Sequence, residues 1–350
     1  MFNLFVQIHI ALFREIYFTS KTDEELIIQM KQTIYFDKTK LDGFLEKIDL
    51  AKQANPIIFT EYLKKFFLDE YSDFVRELKD VAQANPPIIH IKHTKKISFD
   101  TASAYVGYIQ EPEQIKALIC HMYATIGVMN TFPILYKEET KHLIRAVVPR
   151  PDSQFEYSSQ SPFVDLAWHV DAAYRPIMRK EQLSPMPDYL VFGIVHPGKD
   201  NIPITYAILE DVLNQLDEDE ILVGLSPEFS VTNPYSLKET TVSQNVPLLH
   251  KNNDGLFYSR ITLRGVAGQT PKSVDFCKKI SHLLGQDQME KTVFVESGDI
   301  VILNNKITMH KRKKFSPSWD GKDRYFLRMY SVKDINQGIL PDTSKPWEWY

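Results

Sequence analysis

The sequence predicts an α+β protein in which helices pack on a core of two facing β-sheets. In its first third, apolar residues recur at helical spacing, and the segments concerned are about 40–54, 59–84 and 112–130. Beyond residue 142 the pattern changes to short apolar or alternating segments separated by turns, which predict strands at 143–148, 164–170, 188–195, 203–208, 256–262, 292–296, 299–304 and 324–331, and helices near 209–217 and 271–284. This succession favours a double-stranded β-helix, the jelly roll of the cupin type, with N-terminal and flanking helices.

The N-terminal part is predicted to be helical. Thr22-Asp23-Glu24-Glu25 has the pattern of a capping box, and the apolar residues from Leu26 to Ile34 continue it as an amphipathic helix. Asn85-Pro86-Pro87 ends the helical part. No flexible linker follows, so we expect one domain over residues 1–350, with a helical part of about 15–85 packed on a jelly-roll core of about 86–335.

The opening segment, 1–13, is apolar, but it lacks a basic n-region and a small-residue cleavage site. It is also too short to span a membrane, so we interpret it as an extra strand or helix. Segment 88–93 reads as a strand whose His90 and His93 point to opposite faces, which makes them a poor pair of metal ligands.

Composition argues against several classes of partner. The net charge is -4 and the pI is about 6.2, so nothing draws the whole molecule to nucleic acid. The basic segment Lys311–Lys314 is interpreted as a solvated loop. Cys120 and Cys277 lie far apart and outside any Cys-x-x-Cys pattern, which is typical of reduced thiols in the cytoplasm. We expect no membrane association, and a homo-oligomer stays open.

His169, Asp171 and His310 are the candidate metal ligands. Residues i and i+2 of a strand point to the same side, so His169 and Asp171 can reach one ion. His310 follows the apolar strand segment Ile300–Leu303. Two imidazoles and one carboxylate on one face of a metal are the ligands of non-haem Fe(II) oxygenases, and they leave positions open for an oxoacid and O₂.

The alternative is a jelly-roll binding protein in which these side chains are structural. His-x-Asp alone occurs by chance in many proteins. Two further residues weigh against this alternative, because Arg324 and Arg328 lie four apart on a predicted strand and so share a face. Two guanidinium groups that point inward from an apolar strand are costly unless anions meet them.

Around these residues the sequence resembles the clavaminate-synthase-like, TauD-related Fe(II)/2-oxoglutarate oxygenases, over about residues 85 to 335. Within that family it is most similar to the branch that hydroxylates free amino acids. The matching segments are Ser158-Ser159, Trp168-His169, Gly298-Asp299, Asn304-Asn305, His310 and Phe315–Arg328.

The resemblance implies a role for each matching residue. His169, Asp171 and His310 would bind Fe(II). Arg324, with Thr205, would hold the C5 carboxylate of the cosubstrate 2-oxoglutarate.

Further roles concern the amino acid. Arg328 would hold its α-carboxylate, Glu138 would contact its amine, and Ser159 would line its site.

Free L-lysine is the predicted substrate, because the residues that would bind the guanidinium group of arginine are not evident. The acidic pair with which the arginine hydroxylases bind a guanidinium is not evident after Asn252–Gly255, whereas Glu181 or Asp254 could face one ammonium. Similarity to the lysine hydroxylases of this branch favours attack at C4 over C3. Another small amino acid or a taurine-like sulfonate on the same iron site stays an alternative.

Overall fold

The computed structural model describes residues 33–37, 39–50, 55–95, 97–180, 183–234 and 241–350. Its strands are β1 (Thr33–Phe36), β2 (Ile88–His93), β3 (Phe132–Tyr136), β4 (Ile144–Val147), β5 (Leu166–His169), β6 (Tyr189–His196), β7 (Ile204–Ile208), β8 (Phe229–Thr232), β9 (Val242–Val246), β10 (Leu249–Lys251), β11 (Phe257–Ser259), β12 (Val266–Gly268), β13 (Lys291–Val293), β14 (Ile300–Asn304), β15 (Thr308–Arg312), β16 (Tyr325–Val332) and β17 (Glu348–Trp349). Its α-helices are α1 (Thr39–Leu45), α2 (Pro56–Glu70), α3 (Ser72–Gln83), α4 (Lys116–Val128), α5 (Leu209–Leu213), α6 (Glu218–Leu225) and α7 (Pro271–Leu284). No helix of these ranges is long and apolar enough to cross a bilayer.

Two sheets form the jelly roll. The main sheet has the order β1-β2-β14-β6-β16-β3-β17, with β4 paired beside β16, and the second sheet has the order β13-β7-β15-β5. The two sheets face each other, because Arg328 on β16 donates a hydrogen bond to Asp171, which follows β5. The predicted α+β fold with a double-stranded β-helix core is confirmed.

The main sheet is buried on both faces. All eight residues of β16 are buried, and they alternate between two hydrophobic cores. Phe326 belongs to the core between the two sheets, and Leu327 to the core beneath the helices. The helical core also contains Leu63 of α2, Leu78 of α3 and Ile126 of α4. The helices therefore cover the outer face of the main sheet and leave its inner face for the site.

The helices are shorter than the sequence pattern predicts. The segment 59–84 forms two helices that meet at Tyr71, and the first begins at Asn55, whose side chain accepts hydrogen bonds from the backbone N–H groups of Ile57 and Ile58. The predicted helix through Ile34 is wrong at its end, because Ile34 lies in β1, parallel to β2. The capping box at Thr22–Glu25 and the segment 1–13 lie outside the described residues.

Several strands lack the predicted signal. β15 has the sequence Thr-Met-His-Lys-Arg, with His310 on one face and Lys311 on the other. It therefore contains too few apolar residues to indicate a strand. β3, β8, β9, β10 and β12 were likewise not predicted; they are short, and most have partly polar or mixed sequences. Of the predicted helices, α7 occupies 271–284 as expected.

Candidate metal centre and substrate cavity

Adjacent strands bring the three predicted metal ligands together. His169 ends β5 and is the direct cross-strand partner of His310 on β15. Their Nε2 atoms lie 3.4 Å and 3.5 Å from Oδ1 of Asp171. All three ligand atoms lie within 4.8 Å of one another, and in the described part of the chain this is the only such cluster of His, Cys, Asp or Glu. The geometry fits one metal ion held by two imidazoles and a carboxylate.

The surroundings of His310 and Asp171 favour the protonation states that a metal requires. Nδ1 of His169 lies 2.8 Å from the carbonyl oxygen of Ala167, and a proton on Nδ1 would leave Nε2 free to bind. Burial lowers the pKa of His310 to about 3, so its imidazole is neutral at physiological pH. Burial acts to raise the pKa of Asp171, but the positive charge of Arg328, the largest of the opposing effects, helps to hold that pKa below its usual range.

A buried amide fixes the backbone at Asp171. The side-chain oxygen of Asn305 accepts a hydrogen bond from the N–H of Asp171 at 2.8 Å, and its nitrogen donates to the carbonyl of Asp171 at 3.0 Å. Ala172, the next residue, has a left-handed φ of 57°. Sequence reasoning included Asn305 in a matching motif but assigned it no role, so the structure adds it as a support for the ligand turn.

A cavity of about 110 Å³ opens beside the triad. Its lining is rich in charged and hydroxyl side chains and comprises Glu139, Arg145, Tyr157, Ser158, Ser159, Leu166, His169, Val170, Asp171, Ala172, Ala173, Tyr174, Thr232, Pro234, Thr262, Arg264, Arg328 and Tyr330. The predicted substrate residues Arg328 and Ser159 are therefore placed at one site with the triad.

Arg328 is the centre of a buried charge network. Its Nη1 donates to Oδ2 of Asp171 at 2.8 Å, and its Nη2 lies 3.6 Å from Oε2 of Glu139. The hydroxyl of Tyr330 donates to Oδ2 of Asp171 at 3.1 Å and lies 3.0 Å from Oε2 of Glu139. Burial raises the pKa of Glu139, and the charge of Arg328 opposes that shift.

Arg324 lies directly before β16 and outside the lining of the cavity beside the triad, and its guanidinium carbon is 3.7 Å from the centre of the Phe326 ring. Its Nε is buried and has no hydrogen-bond partner among the described residues. Burial and, to a smaller extent, the charge of Arg312 lower the pKa of this guanidinium to about 9. A cation of this kind is suited to receive a carboxylate from a ligand.

Glu138 and Thr205 do not lie where the resemblance implies, and in each case the next residue along the chain is the one turned toward the site. The carboxylate of Glu138 binds the buried Arg175 and does not line the cavity, whereas the neighbouring Glu139 does. Thr205 is the cross-strand partner of Lys311, and Tyr206 is the partner of His310. Cross-strand partners share a face, so Thr205 points away from the triad. The structure therefore places Glu138 outside the cavity lining and turns Thr205 away from the triad, and their contacts to the amine and the oxoacid stay predictions.

The predicted acids for a substrate ammonium are not found at the cavity. Asp254 is exposed in the turn between β10 and β11, where it contacts Asn252 and does not line the cavity. Glu181 lies outside the described residues. Of the two histidines of β2, His90 bonds to Asp299 at 2.8 Å, and the ring of His93 packs on that of His121.

No protein-family model matches the chain. Among curated proteins, clavaminate synthase 2 of Streptomyces clavuligerus is 37% identical over 91 residues, which are 26% of each chain. The L-lysine 3-hydroxylase of Catenulispora acidiphila is 21% identical over 213 residues, which are 55% of this chain and 52% of that protein. The alignments thus span about a quarter and about half of these relatives.

Solved structures are similar over nearly the whole fold. A crystal structure of asparagine oxygenase has a TM-score of 0.72 at 17% identity and covers 91% of this chain and 98% of its own. The non-heme iron oxygenase OrfP, in complex with Fe, succinate and (3S)-hydroxy-L-Arg, has a TM-score of 0.64 at 15% identity, with 91% and 100% covered. The resemblance predicted from the two metal-binding segments is confirmed: this chain has the fold of the clavaminate-synthase-like Fe(II)/2-oxoglutarate oxygenases.

Proposed function

We propose that this protein is an Fe(II)/2-oxoglutarate-dependent oxygenase that hydroxylates a free L-amino acid. The observation that carries the proposal is the cluster of His169, Asp171 and His310, of which His169 and Asp171 line a cavity rich in charged and hydroxyl side chains. Their donor set, two imidazoles and one carboxylate, fits Fe(II). Bound iron would supply the oxidation of a C–H bond by O₂, with 2-oxoglutarate converted to succinate and CO₂.

The protein's own residues would bind and orient the two organic substrates. Arg324 would hold the C5 carboxylate of 2-oxoglutarate, because its Nε is buried without a hydrogen-bond partner among the described residues. Arg328 would hold the α-carboxylate of the amino acid. Glu139, which shares a charge network with Arg328, would accept the substrate amine, and Ser159 lies in the same lining.

L-Lysine, attacked at C4, is our first candidate for the substrate. The 21% identity to an L-lysine 3-hydroxylase supports lysine and makes C3 the competing position. The cavity itself gives no support to the expected ammonium contact, because Asp254 does not reach it. Related folds named for asparagine and crystallised with a hydroxylated arginine keep both amino acids in the test.

A panel of the 20 amino acids and taurine, incubated with Fe(II), ascorbate and 2-oxoglutarate, tests the proposal by mass spectrometry. We expect one member to gain one oxygen atom, with stoichiometric succinate, and His310→Ala to abolish both. NMR of the product locates the hydroxyl group. Succinate release that no member stimulates would contradict amino-acid hydroxylation. Absence of any iron-dependent succinate release would favour the binding-protein alternative.

A further inference from the structure

A second arginine faces the cavity beside Arg328. Arg145 on β4 is the direct antiparallel partner of Arg328 on β16. Direct partners point to the same side of a sheet, with side chains only a few ångströms apart. Both arginines line the cavity. Like charges in this arrangement repel each other, so their retention at one buried site calls for an anion that meets them.

The two guanidinium groups differ in how far their charge is compensated. Arg328 already contacts two carboxylates, at 2.8 Å to Asp171 and 3.6 Å to Glu139. Arg145 has a neutral partner, the side-chain oxygen of Gln160 at 3.2 Å, and among the described residues no carboxylate lies within ion-pair distance of it. The charge of Arg145 is therefore the less compensated of the two, because Glu139 and Asp171 act on it only from beyond ion-pair distance.

Gln160 holds Arg145 in place. This residue is 4% exposed, and its side-chain nitrogen donates to the backbone carbonyl of Ala146 at 3.2 Å. That hydrogen bond directs the amide oxygen of Gln160 toward Arg145 and toward Arg150, whose Nη1 donates to it at 3.4 Å. Because the partner is neutral, Arg145 keeps its full charge and its remaining N–H groups for a ligand.

We propose that Arg145 is a second binding residue for the α-carboxylate of the substrate, which it grips together with Arg328. The inference rests on the proposed function, since it takes the substrate to be a free amino acid. It assigns the acid end of the substrate to the strand pair β4–β16. The rest of the cavity, toward Thr232 and Thr262, then receives the substrate side chain.

The test compares each amino acid with its α-carboxamide, which keeps the side chain and the amine but lacks the carboxylate. Calorimetric titrations use the full chain with Zn(II) in place of iron and with 2-oxoglutarate present, so that binding is measured without turnover. The probes are L-lysine, L-asparagine, L-arginine and their α-carboxamides. The variants are Arg145→Gln and Arg145→Lys, and Arg76→Gln, 72% exposed on α3, is the control for loss of one charge.

For the amino acid that the wild type binds, we expect Arg145→Gln to raise Kd about ten-fold or more, as loss of a charge-assisted hydrogen bond does. Arg145→Lys should recover part of that loss, and the carboxamide should bind both proteins equally weakly. An unchanged Kd, or equal losses for acid and carboxamide, would overturn the role of Arg145. Removal of a like charge beside Arg328 should leave the thermal midpoint unchanged or raise it.

The outcome also separates this inference from the proposed function. Binding that depends on the carboxylate and on Arg145, without oxygen insertion by the iron-loaded wild type, would overturn hydroxylation and support Arg145. Oxygen insertion by the wild type, with no effect of Arg145→Gln on binding, would support hydroxylation and overturn the role of Arg145. A wild type that binds none of the probes and hydroxylates no member of the amino-acid panel would overturn both.

Discussion

The two carboxylate oxygens of Asp171 have different surroundings. Oδ2 accepts hydrogen bonds from Arg328 at 2.8 Å and from Tyr330 at 3.1 Å. Oδ1 lies nearest to the two imidazole Nε2 atoms. A carboxylate held in this way presents one oxygen to a metal and keeps the other occupied. We therefore expect Asp171 to bind iron through Oδ1 alone, which leaves more positions for the oxoacid and O₂.

Tyr330→Phe removes one of the two hydrogen bonds to Oδ2 of Asp171 and so tests whether they support metal binding by Oδ1. Loss of the hydroxyl should free Oδ2 in part and lower the affinity for metal by about ten-fold, the lower end of the range for a residue that supports a metal ligand. Titration of the metal-free protein with Co(II), followed by absorbance, measures the change. Tyr325→Phe, on the opposite face of β16, is the matched control. Equal affinities of the wild type and Tyr330→Phe would contradict the role.

Arg324→Lys tests the predicted cosubstrate contact. Lysine keeps the positive charge but loses the planar fork that binds a carboxylate with two hydrogen bonds. The KM for 2-oxoglutarate should rise about ten-fold or more, because such a bond contributes ~1.5–3 kcal/mol. Steady-state assays of succinate release measure it. A rise in the KM of the amino acid alone would show that Arg324 serves the other substrate.

Sequence spacing could place the triad but not every neighbour. His169 and Asp171 are two apart on one strand end, so their common face follows from local geometry. The contacts of Thr205 and Glu138 depended on strand register, which pairs residues far apart in sequence. One residue of shift along a strand turns a side chain to the other face, and this is why Tyr206 and not Thr205 shares the face of His310, while Glu139 and not Glu138 lines the cavity.

At the level of elements, α4 is buried on every side. Each residue from Leu118 to Val128 is buried, because the helix lies between the main sheet and α2. His121 belongs to this helix, and its ring centre lies 4.1 Å from that of Phe36. Neither ring nitrogen has a hydrogen-bond partner among the described residues. Burial holds the pKa of His121 well below its usual value of 6.5, and the nearby His93 lowers it further.

This histidine should make the protein less stable in mild acid. The unfolded chain takes up a proton on His121 below pH 6.5, whereas the folded protein does not. The free energy of unfolding therefore falls as the pH drops below that value, by about 2 kcal/mol at pH 5 for this one residue. His121→Phe should remove that part of the pH dependence.

Urea unfolding of the metal-free protein at pH 7 and at pH 5 measures this effect. His282→Phe, exposed on α7, is the control and should keep the wild-type dependence. An identical fall in stability for the wild type and His121→Phe would contradict the prediction.

For the whole molecule, the main sheet joins the two hydrophobic cores. β1 and β2 extend this sheet on the helical side, and β16 contributes Phe326 to one core and Leu327 to the other. If one of the two cores came apart, the face of the main-sheet strands that it covers would be exposed to water. Sequence periodicity predicted both layers, but the pairing of β1 with β2 is a contact of distant segments that no local pattern shows.

We therefore expect residues 33–350 to unfold as one unit, as the predicted single domain requires. Scanning calorimetry should give one transition whose calorimetric and van't Hoff enthalpies agree. Near-ultraviolet and far-ultraviolet circular dichroism should report the same midpoint. Two separated transitions, with loss of helix before loss of the β-sheet signal, would show that the helical part is a domain of its own.

The amide of Asn305 has a consequence for how the protein handles its metal. It binds the backbone on both sides of Asp171, so the turn keeps its shape through main-chain contacts and not through bonds to an ion. The turn at Asp171 should therefore keep its metal-binding geometry when the metal is removed, and rebinding of metal should need no refolding. After a chelator has removed the metal, addition of fresh metal should therefore restore activity within the mixing time.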